Sequence, residues 1–218
     1  MVEIIPSLLV ESEKEFIEKY NGLKNSVDMV QIDIADGIFV SHTTWADPQK
    51  IKEIVECEIE LHFMVQNPLE YFSSWQDVPR VKRIYFHIEP VELLDNVTFE
   101  ARENGWEVGV ALKPETPLDA LEPIINDIDA VLFLSVNPGK QGQAFIPEVL
   151  EKIKDFRKKG YAHFVSLDGG VNKDTLSDIL PVGVDAVCPG SAVFSSGNPE
   201  QNVHQLKQVI QETRNKKQ

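Results

Sequence analysis

The stretch AVLFLSVNPGKQGQAFIPEVLEKIKDFRKK, residues 130–159, contains one complete strand, loop and helix. Residues 130–136 form a run that is apolar except for Ser135 and has the length of a buried strand, whereas residues 146–159 place apolar side chains at helical spacing. An apolar strand that is followed by an amphipathic helix is typical of a parallel sheet. The stretch therefore predicts one β/α unit with a glycine-containing loop at the end of its strand.

The same alternation recurs along the whole chain. Eight strand-like runs can be identified, at residues 2–7, 28–33, 58–65, 83–88, 107–112, 130–136, 163–168 and 185–190. A helix-like stretch follows each of them, at residues 12–23, 47–55, 68–75, 91–104, 117–127, 146–159, 172–180 and 198–216. Eight such units close into an α/β fold of the (β/α)8 TIM barrel type, whereas a doubly wound open sheet seldom needs eight. No linker interrupts the pattern, so we expect a single domain over residues 1–218.

The composition limits the classes of function. The chain has 218 residues, 42% of them hydrophobic, and a formal net charge of −14. This acidic excess disfavours nucleic acid and membrane surfaces as partners. The two cysteines are far apart and lack metal-type spacing, which is typical of a reducing compartment. Because the sequence contains neither a recognisable signal peptide nor a membrane-spanning run, we expect a cytoplasmic protein.

Polar side chains cluster where the predicted strands end, which is where chemistry occurs in TIM barrels. Asp33 and Asp168 come from strands on opposite sides of the predicted barrel, and two carboxylates that face one cavity repel unless a cation lies between them. Together with Gln31 and His62 they offer three oxygens and one nitrogen, a donor set that suits Mn, Fe or Zn. A lone inward-facing polar residue is more often structural, so it is the clustering that favours an active site.

Glycine-rich segments follow the last three predicted strands, namely NPGKQGQ (137–143), DGG (168–170) and PGS (189–191). Glycine lets backbone N–H groups approach a phosphate closely, and the segment SAVF (191–194) can begin a helix that is aimed at it. One such loop is also typical of an ordinary tight turn. Three at consecutive strand ends predict a phosphate site, which recurs at this place in TIM barrels.

These motifs resemble those of the ribulose-phosphate 3-epimerase family, and the resemblance covers nearly the whole chain. The matching segments are PSLL (6–9), DIADGIFV (33–40), LHFMVQNPLEY (61–71), FHIE (86–89), GVALKPETPLDAL (109–121), SVNPGKQGQAFIPEVLEKI (135–153), DGGV (168–171) and GSAVF (190–194). The resemblance implies a barrel of the ribulose-phosphate-binding type. It also implies an isomerase of carbohydrate metabolism, in the pentose phosphate pathway, that interconverts ribulose 5-phosphate and xylulose 5-phosphate.

The resemblance further implies roles for individual residues. Asp33 and Asp168 would be the acid/base pair and, with His62 and Gln31, would hold one divalent metal (Zn, Fe or Mn). Inverting a carbon beside a ketone needs a proton removed from one face and returned to the other, which two carboxylates can do. We expect a sugar phosphate as the small-molecule partner and a homo-oligomeric assembly. The residues expected to bind the substrate and its phosphate are Ser7, His62, Met64, Gly139, Gly142, Gly169, Gly170, Gly190 and Ser191.

Several residues depart from the family pattern. The family has histidine where this chain has Gln31, and a neutral amide oxygen is a harder and weaker ligand than imidazole. Affinity for zinc should therefore fall, and selectivity should move toward Mn or Mg. Gln31 could instead bind no metal and hydrogen-bond to Asp33 or to a water. Ala35 and Leu134 replace two methionines that the family places over the reacting carbons, and Lys140 is substituted in the phosphate loop.

Three functions remain open from the sequence. The first is a ribulose 5-phosphate epimerase with an altered metal site. The second is an epimerase for another ketose phosphate, such as a six-carbon one that the space at Ala35 would admit. The third is a sugar-phosphate-binding protein without catalysis, against which the presence of both aspartates argues. An aldolase or decarboxylase on this barrel is expected to have a D-x-K-x-x-D pattern, and DIAD (33–36) has no lysine.

Overall fold

The strands form one closed parallel sheet. The structure is a computed structural model that describes residues 2–23 and 26–215. The strands are β1 (Glu3–Ile4), β2 (Ser7–Leu8), β3 (Met29–Ala35), β4 (Glu58–Met64), β5 (Val81–His87), β6 (Glu107–Leu112), β7 (Ala130–Leu134), β8 (Phe164–Asp168) and β9 (Ala186–Cys188). Their order in the sheet is β1-β9-β8-β7-β6-β5-β4-β3-β2, and neighbours are parallel.

The sheet closes at its first segment. The strands β1 and β2 are separated by Ile5 and Pro6, and they pair with β9 on one side and with β3 on the other. The N–H of Ile5 donates to the carbonyl of Val187, and the carbonyl of Pro6 accepts the N–H of Gln31, both at 3.0 Å. The eight predicted strand-like runs are therefore confirmed, the first of them as two short strands. Together they make the predicted (β/α)8 barrel.

Helices cover the outside of the barrel. They are α1 (Glu13–Leu23), α2 (Pro48–Ile54), α3 (Leu69–Trp75), α4 (Leu94–Glu103), α5 (Glu148–Lys158), α6 (Lys173–Ile179), α7 (Ser191–Phe194) and α8 (Pro199–Asn215). Each longer helix turns one apolar stripe to the sheet, as α1 does with Phe16, Tyr20 and Leu23. Across the described ranges, no helix is long and apolar enough to cross a membrane.

One predicted helix is absent between β6 and β7. Residues 117–127 form two 3-10 segments, Leu118–Leu121 and Ile125–Asp127, in place of the expected helix. Pro123 lies in the middle of this stretch and has no N–H to donate, so a continuous α-helix cannot pass through it. The last predicted helix extends to residue 216, which lies outside the described residues.

Polar groups, most of them buried, lie in the lower part of the barrel lumen, toward the amino ends of the strands. The guanidinium of Arg83 lies 3.3 Å from a carboxylate oxygen of Glu60 and 2.6 Å from one of Glu107. The hydroxyl of Tyr85 is hydrogen-bonded to that of Ser166 at 2.9 Å. Burial raises the pKa of Glu60 to about 7, although the charge of Arg83 opposes this. The next layer of side chains in the lumen packs on these groups, on the side toward the carboxyl ends of the strands.

Candidate active site

The register of the central strands brings the predicted acid, base and ligand residues together. Gln31 and Asp33 lie two apart on β3 and so point to the same side of the sheet, into the lumen. Asp33 is the register partner of His62 on β4. Asp168 is the last residue of β8, and only β9 and the β1–β2 segment separate β8 from β3. The two strands are thus not diametrically opposite, and both carboxylates reach one point.

A single amide bridges the two carboxylates. The Nε2 of Gln31 donates to Oδ1 of Asp33 at 2.9 Å and to Oδ2 of Asp168 at 2.8 Å. The Nδ1 of His62 lies 3.0 Å from the same oxygen of Asp33 and 3.9 Å from that of Asp168. Gln31, Asp33 and His62 are each buried, with at most 4% of their surface exposed, so these contacts are screened little by solvent. The amide N–H groups of Gln31 and the ring of His62 therefore reduce the repulsion between the carboxylates.

The electrostatics of this cluster raise the pKa values of Asp168 and His62. Burial, followed by the charge of Asp33, raises the pKa of Asp168 to about 7. Burial alone would lower the pKa of His62, but the hydrogen bond to Asp33 and the charges of both aspartates outweigh it and raise the value. Near neutral pH, therefore, Asp168 can hold a proton, and the surroundings of His62 favour its protonated form. A carboxyl group that can hold and release a proton near neutral pH suits an acid/base reaction.

The raised pKa of Asp168 predicts a pH-dependent stability. Between about pH 4 and pH 7 the folded state holds a proton that an unfolded aspartate releases, so stability falls as the pH rises through this range. We expect Asp168→Asn to stabilise the chelated protein at pH 8 by up to a few kcal/mol, and to have little effect at pH 4. Urea unfolding at both pH values measures this. A difference between variant and wild type that does not change with pH would contradict the assignment.

The cluster fits a divalent metal ion. Asp33, His62 and Asp168 each offer one ligand atom, and these atoms lie within 4.8 Å of one another. The Oε1 of Gln31 is buried and, among the residues that the structure describes, has no hydrogen-bond partner. A half-turn of the amide would exchange Nε2 for Oε1 at the same point. Two carboxylates, an imidazole and an amide oxygen form a donor set that suits a divalent ion of the first transition row.

The substrate-binding residues expected from the sequence line one cavity beside this cluster. The expected residues on its wall are Ser7, Asp33, His62, Met64, Gly139, Gly142, Asp168, Gly169, Gly170, Gly190 and Ser191. Gln31 is not among the lining residues, since it lies below Asp33 in the lumen. Leu134 lines the cavity and Ala35 does not, so the residue on which the six-carbon alternative rests is not at the wall.

Two glycines after β8 are required by the backbone of the cavity. Gly169 has a φ of 102°, and a Cβ there would lie 2.5 Å from a methyl group of Val136. Gly170 has a φ of 62°, and a Cβ there would lie 2.9 Å from the Cα of Phe145. Both positions therefore exclude larger residues. The segment 191–194 forms the short helix α7, as its sequence indicated.

Sequence reasoning did not assign a role to three residues next to these groups. Gln141 lines the cavity, and its Nε2 donates to the backbone carbonyl of Ser7 at 3.1 Å. His87 and Glu89 extend from His62 away from the cavity and belong to the FHIE motif. The period-two alternation of β5 could have indicated His87, because it faces inward with Arg83 and Tyr85.

Comparison with known proteins agrees with this geometry. Residues 3–194 match the model of the ribulose-phosphate 3 epimerase family. The chain is 33% identical over 216 residues to ribulose-phosphate 3-epimerase of Schizosaccharomyces pombe, covering 95% of this chain and 93% of that protein. It is 28% identical over 218 residues to the enzyme of the same name from Bacillus subtilis, covering 95% and 99%. The crystal structure of KGPDC from Streptococcus mutans has the same fold, with a TM-score of 0.76 at 14% identity over 98% of this chain and 99% of that one. The chain therefore belongs to the ribulose-phosphate 3-epimerase family.

Proposed function

We propose that this protein is a ketose-phosphate 3-epimerase that interconverts ribulose 5-phosphate and xylulose 5-phosphate. The observation that carries the proposal is the pair of carboxylates, Asp33 and Asp168, which both line one cavity, where the pKa of Asp168 is raised to about 7. Epimerisation beside a ketone requires one base and one acid at the same carbon. Membership of the epimerase family supports the reaction class.

The two aspartates carry out the proton transfers in this proposal. One ionised carboxylate removes the proton from C3, and the protonated partner delivers a proton to the opposite face, so that their roles exchange when the reaction runs backwards. Without a metal ion, His62 and Gln31 hold the carboxylates in place by the contacts at 3.0 Å, 2.9 Å and 2.8 Å, and coordination would take over this role with the ion bound. Fixed positions favour rapid transfer because little reorganisation is then needed.

The glycine segments bind the phosphate of the substrate. Gly139, Gly142, Gly169, Gly170 and Gly190 all line the cavity. Backbone N–H groups can neutralise an anion locally, which a chain with a net charge of −14 cannot do by its overall field. Ser7 and Ser191 line the same cavity and supply hydroxyl groups for the sugar or the phosphate.

We assign the metal site to Asp33, His62 and Asp168, with Oε1 of Gln31 as a fourth ligand once its amide has turned. A divalent ion held there supplies Lewis-acid stabilisation of the negative charge that develops on the substrate oxygens. Because Gln31 replaces an imidazole with a harder oxygen, the affinity for Zn is expected to fall and the selectivity to move toward harder ions such as Mn or Mg. Turning the amide removes its two hydrogen bonds to the carboxylates, and metal binding must replace that stabilisation.

The cytoplasmic location and the homo-oligomeric state remain predictions. Cys57 and Cys188 are both free thiols, which supports a reducing compartment.

The experiment that tests this function follows deuterium from D2O into C3 of ribulose 5-phosphate by NMR. The protein is first chelated, and Mn or Zn is then added back in trace amount and removed before acquisition. We expect metal-dependent exchange at C3 together with the formation of xylulose 5-phosphate. The surface variant Asp155→Asn, on the exposed side of α5, serves as the matched control for a changed aspartate. No exchange under any condition, with the protein folded, would overturn the proposal in favour of another ketose phosphate or of binding alone.

A further inference from the structure

A chain of hydrogen bonds leads from His62 away from the cavity. The Nε2 of His62 lies 3.0 Å from the Nε2 of His87, and the Nδ1 of His87 lies 3.0 Å from Oε2 of Glu89. The other carboxylate oxygen of Glu89 accepts the backbone N–H of Lys113 at 2.8 Å and the hydroxyl of Thr116. Both histidines are only 1% exposed, so solvent does not compete for these bonds.

The donor and the acceptor of each hydrogen bond between His62, His87 and Glu89 can be assigned. Glu89 accepts three hydrogen bonds and is an acceptor only, so the Nδ1 of His87 must carry a hydrogen. Only one hydrogen can lie between the facing Nε2 atoms of His62 and His87. His62 faces two carboxylates, at 3.0 Å and 3.9 Å, whereas His87 faces one whose lone pairs are shared among three donors. The additional proton therefore belongs to His62, and the Nε2 of His87 is the acceptor.

This assignment determines which nitrogen of His62 faces the acids. Its Nε2 keeps a hydrogen that is donated to His87, so Nδ1 is the atom that contacts Asp33 or coordinates a cation. We propose that Glu89 and His87 are positioning residues that fix the tautomer of His62 and hold its Nδ1 available as a metal ligand. The inference rests on the proposed function, because it concerns the metal site of that same reaction.

Two aromatic rings pack against the ring of His87. The ring of Phe39 lies 4.7 Å from it on one side, and the ring of His62 lies 5.1 Å from it on another. The ammonium group of Lys113 lies 4.2 Å from the centre of the Phe39 ring and covers it from solvent. Turning the ring of His87 would break the hydrogen bonds at both of its nitrogens, so these bonds fix which nitrogen faces Glu89 and which faces His62.

Glu89→Gln tests the proposal, because it keeps the shape of the side chain and reverses the direction of the hydrogen bonds from residue 89 through His87 to His62. The amide oxygen would continue to accept from Lys113 and Thr116, which leaves the NH2 group facing Nδ1 of His87. His87 must then accept at Nδ1 and donate from Nε2. His62 in turn must accept at Nε2 and carry its hydrogen on Nδ1, where it cannot bind a metal. We expect the affinity for Zn²⁺, measured by chelator competition, to fall about 10- to 100-fold.

The direct readout is the long-range ¹H–¹⁵N spectrum of protein labelled at histidine. In the wild type, chelated or loaded with Zn²⁺, we expect His87 to be protonated on Nδ1, and in Glu89→Gln on Nε2. Glu89→Asp retains a carboxylate and should preserve the wild-type tautomer with a smaller loss of affinity. Glu18→Gln, on the exposed side of α1, should change neither quantity.

Two results would overturn the proposal that the hydrogen bonds from Glu89 through His87 to His62 (the relay) fix the tautomer of His62. One is a wild-type spectrum in which His87 carries its hydrogen on Nε2, which requires no variant to fold. The other is an unchanged Zn²⁺ affinity in a folded Glu89→Gln protein. Both measurements are made without substrate, so they are separate from the epimerase assay. Loss of exchange at C3 with the expected tautomer would refute the proposed function and leave the relay supported.

Discussion

Asp33→Asn and Asp168→Asn should each lower kcat by about 10²- to 10⁴-fold or more, because each change removes one of the two groups that transfer protons. Asparagine has nearly the shape of aspartate, but it can neither take the proton from C3 nor return one. The measurement is the rate of conversion of ribulose 5-phosphate with saturating metal, together with circular dichroism to show that the fold is intact. Near-full activity in either variant would refute the assignment of two bases.

The two variants should also differ from one another in isotope exchange. When one carboxylate serves each face of C3, the remaining aspartate can still remove and return a proton on its own face. In D2O, one variant should therefore introduce deuterium slowly into ribulose 5-phosphate, and the other into xylulose 5-phosphate, without interconversion. Exchange into the same epimer by both variants would mean that one group acts alone.

Loss of the metal is an alternative cause of inactivity in these variants, because both aspartates are also proposed ligands. Measuring Mn²⁺ affinity by electron paramagnetic resonance separates the two effects. A variant that is saturated with Mn²⁺ and still inactive has lost a proton carrier. A variant that regains activity at high Mn²⁺ concentration has lost only a ligand, and that outcome contradicts the acid/base role of the changed residue.

Much of the barrel follows from the sequence because its strands are buried on both sides. A strand of this kind needs an almost continuous apolar run, as in residues 130–136. The segment 117–127 misled the prediction because its apolar spacing is helical while Pro123 prevents the helix. The break at Pro6 is likewise a backbone effect, since proline lacks the N–H that a continuous strand would donate.

The site was partly predictable for a similar reason. The spacing of Gln31 and Asp33 places them on one side of β3, whatever the rest of the fold. That Asp33 lies beside His62 depends on the register between β3 and β4, which is set by packing along the whole pair. The role of His87 was missed because it faces another histidine rather than the cavity. Pairing between side chains on neighbouring strands is not visible in either segment alone.

The orientation of the Gln31 amide is a further property that sequence could not supply. With Nε2 toward the acids, the amide donates to both carboxylates, at 2.9 Å and 2.8 Å. The opposite orientation would place Oε1 against two carboxylate oxygens and would be repulsive unless a cation lay between them. The preferred orientation therefore depends on whether a metal is bound. Both interpretations of Gln31, as a ligand and as a hydrogen-bond donor to Asp33, describe the same side chain under different conditions.

Replacing Gln31 with histidine should raise the affinity for Zn²⁺, on the order of 10- to 100-fold, which is the size of effect that the surroundings of a metal ligand produce. In the wild type, binding requires the amide to turn and to give up both hydrogen bonds to the acids. Histidine can offer a lone pair directly, and imidazole is a better ligand than an amide for Zn²⁺. Chelator competition with Zn²⁺ and Mn²⁺ measures the change, and the ratio of the two affinities should move toward zinc.

Gln31→Leu is the control, because it removes the amide without adding a ligand and should not raise either affinity. If Gln31→His increased neither metal affinity nor the rate of exchange at C3, the side chain at this position would have no contact with the metal. The carboxylates would then be held by the amide hydrogen bonds throughout the reaction.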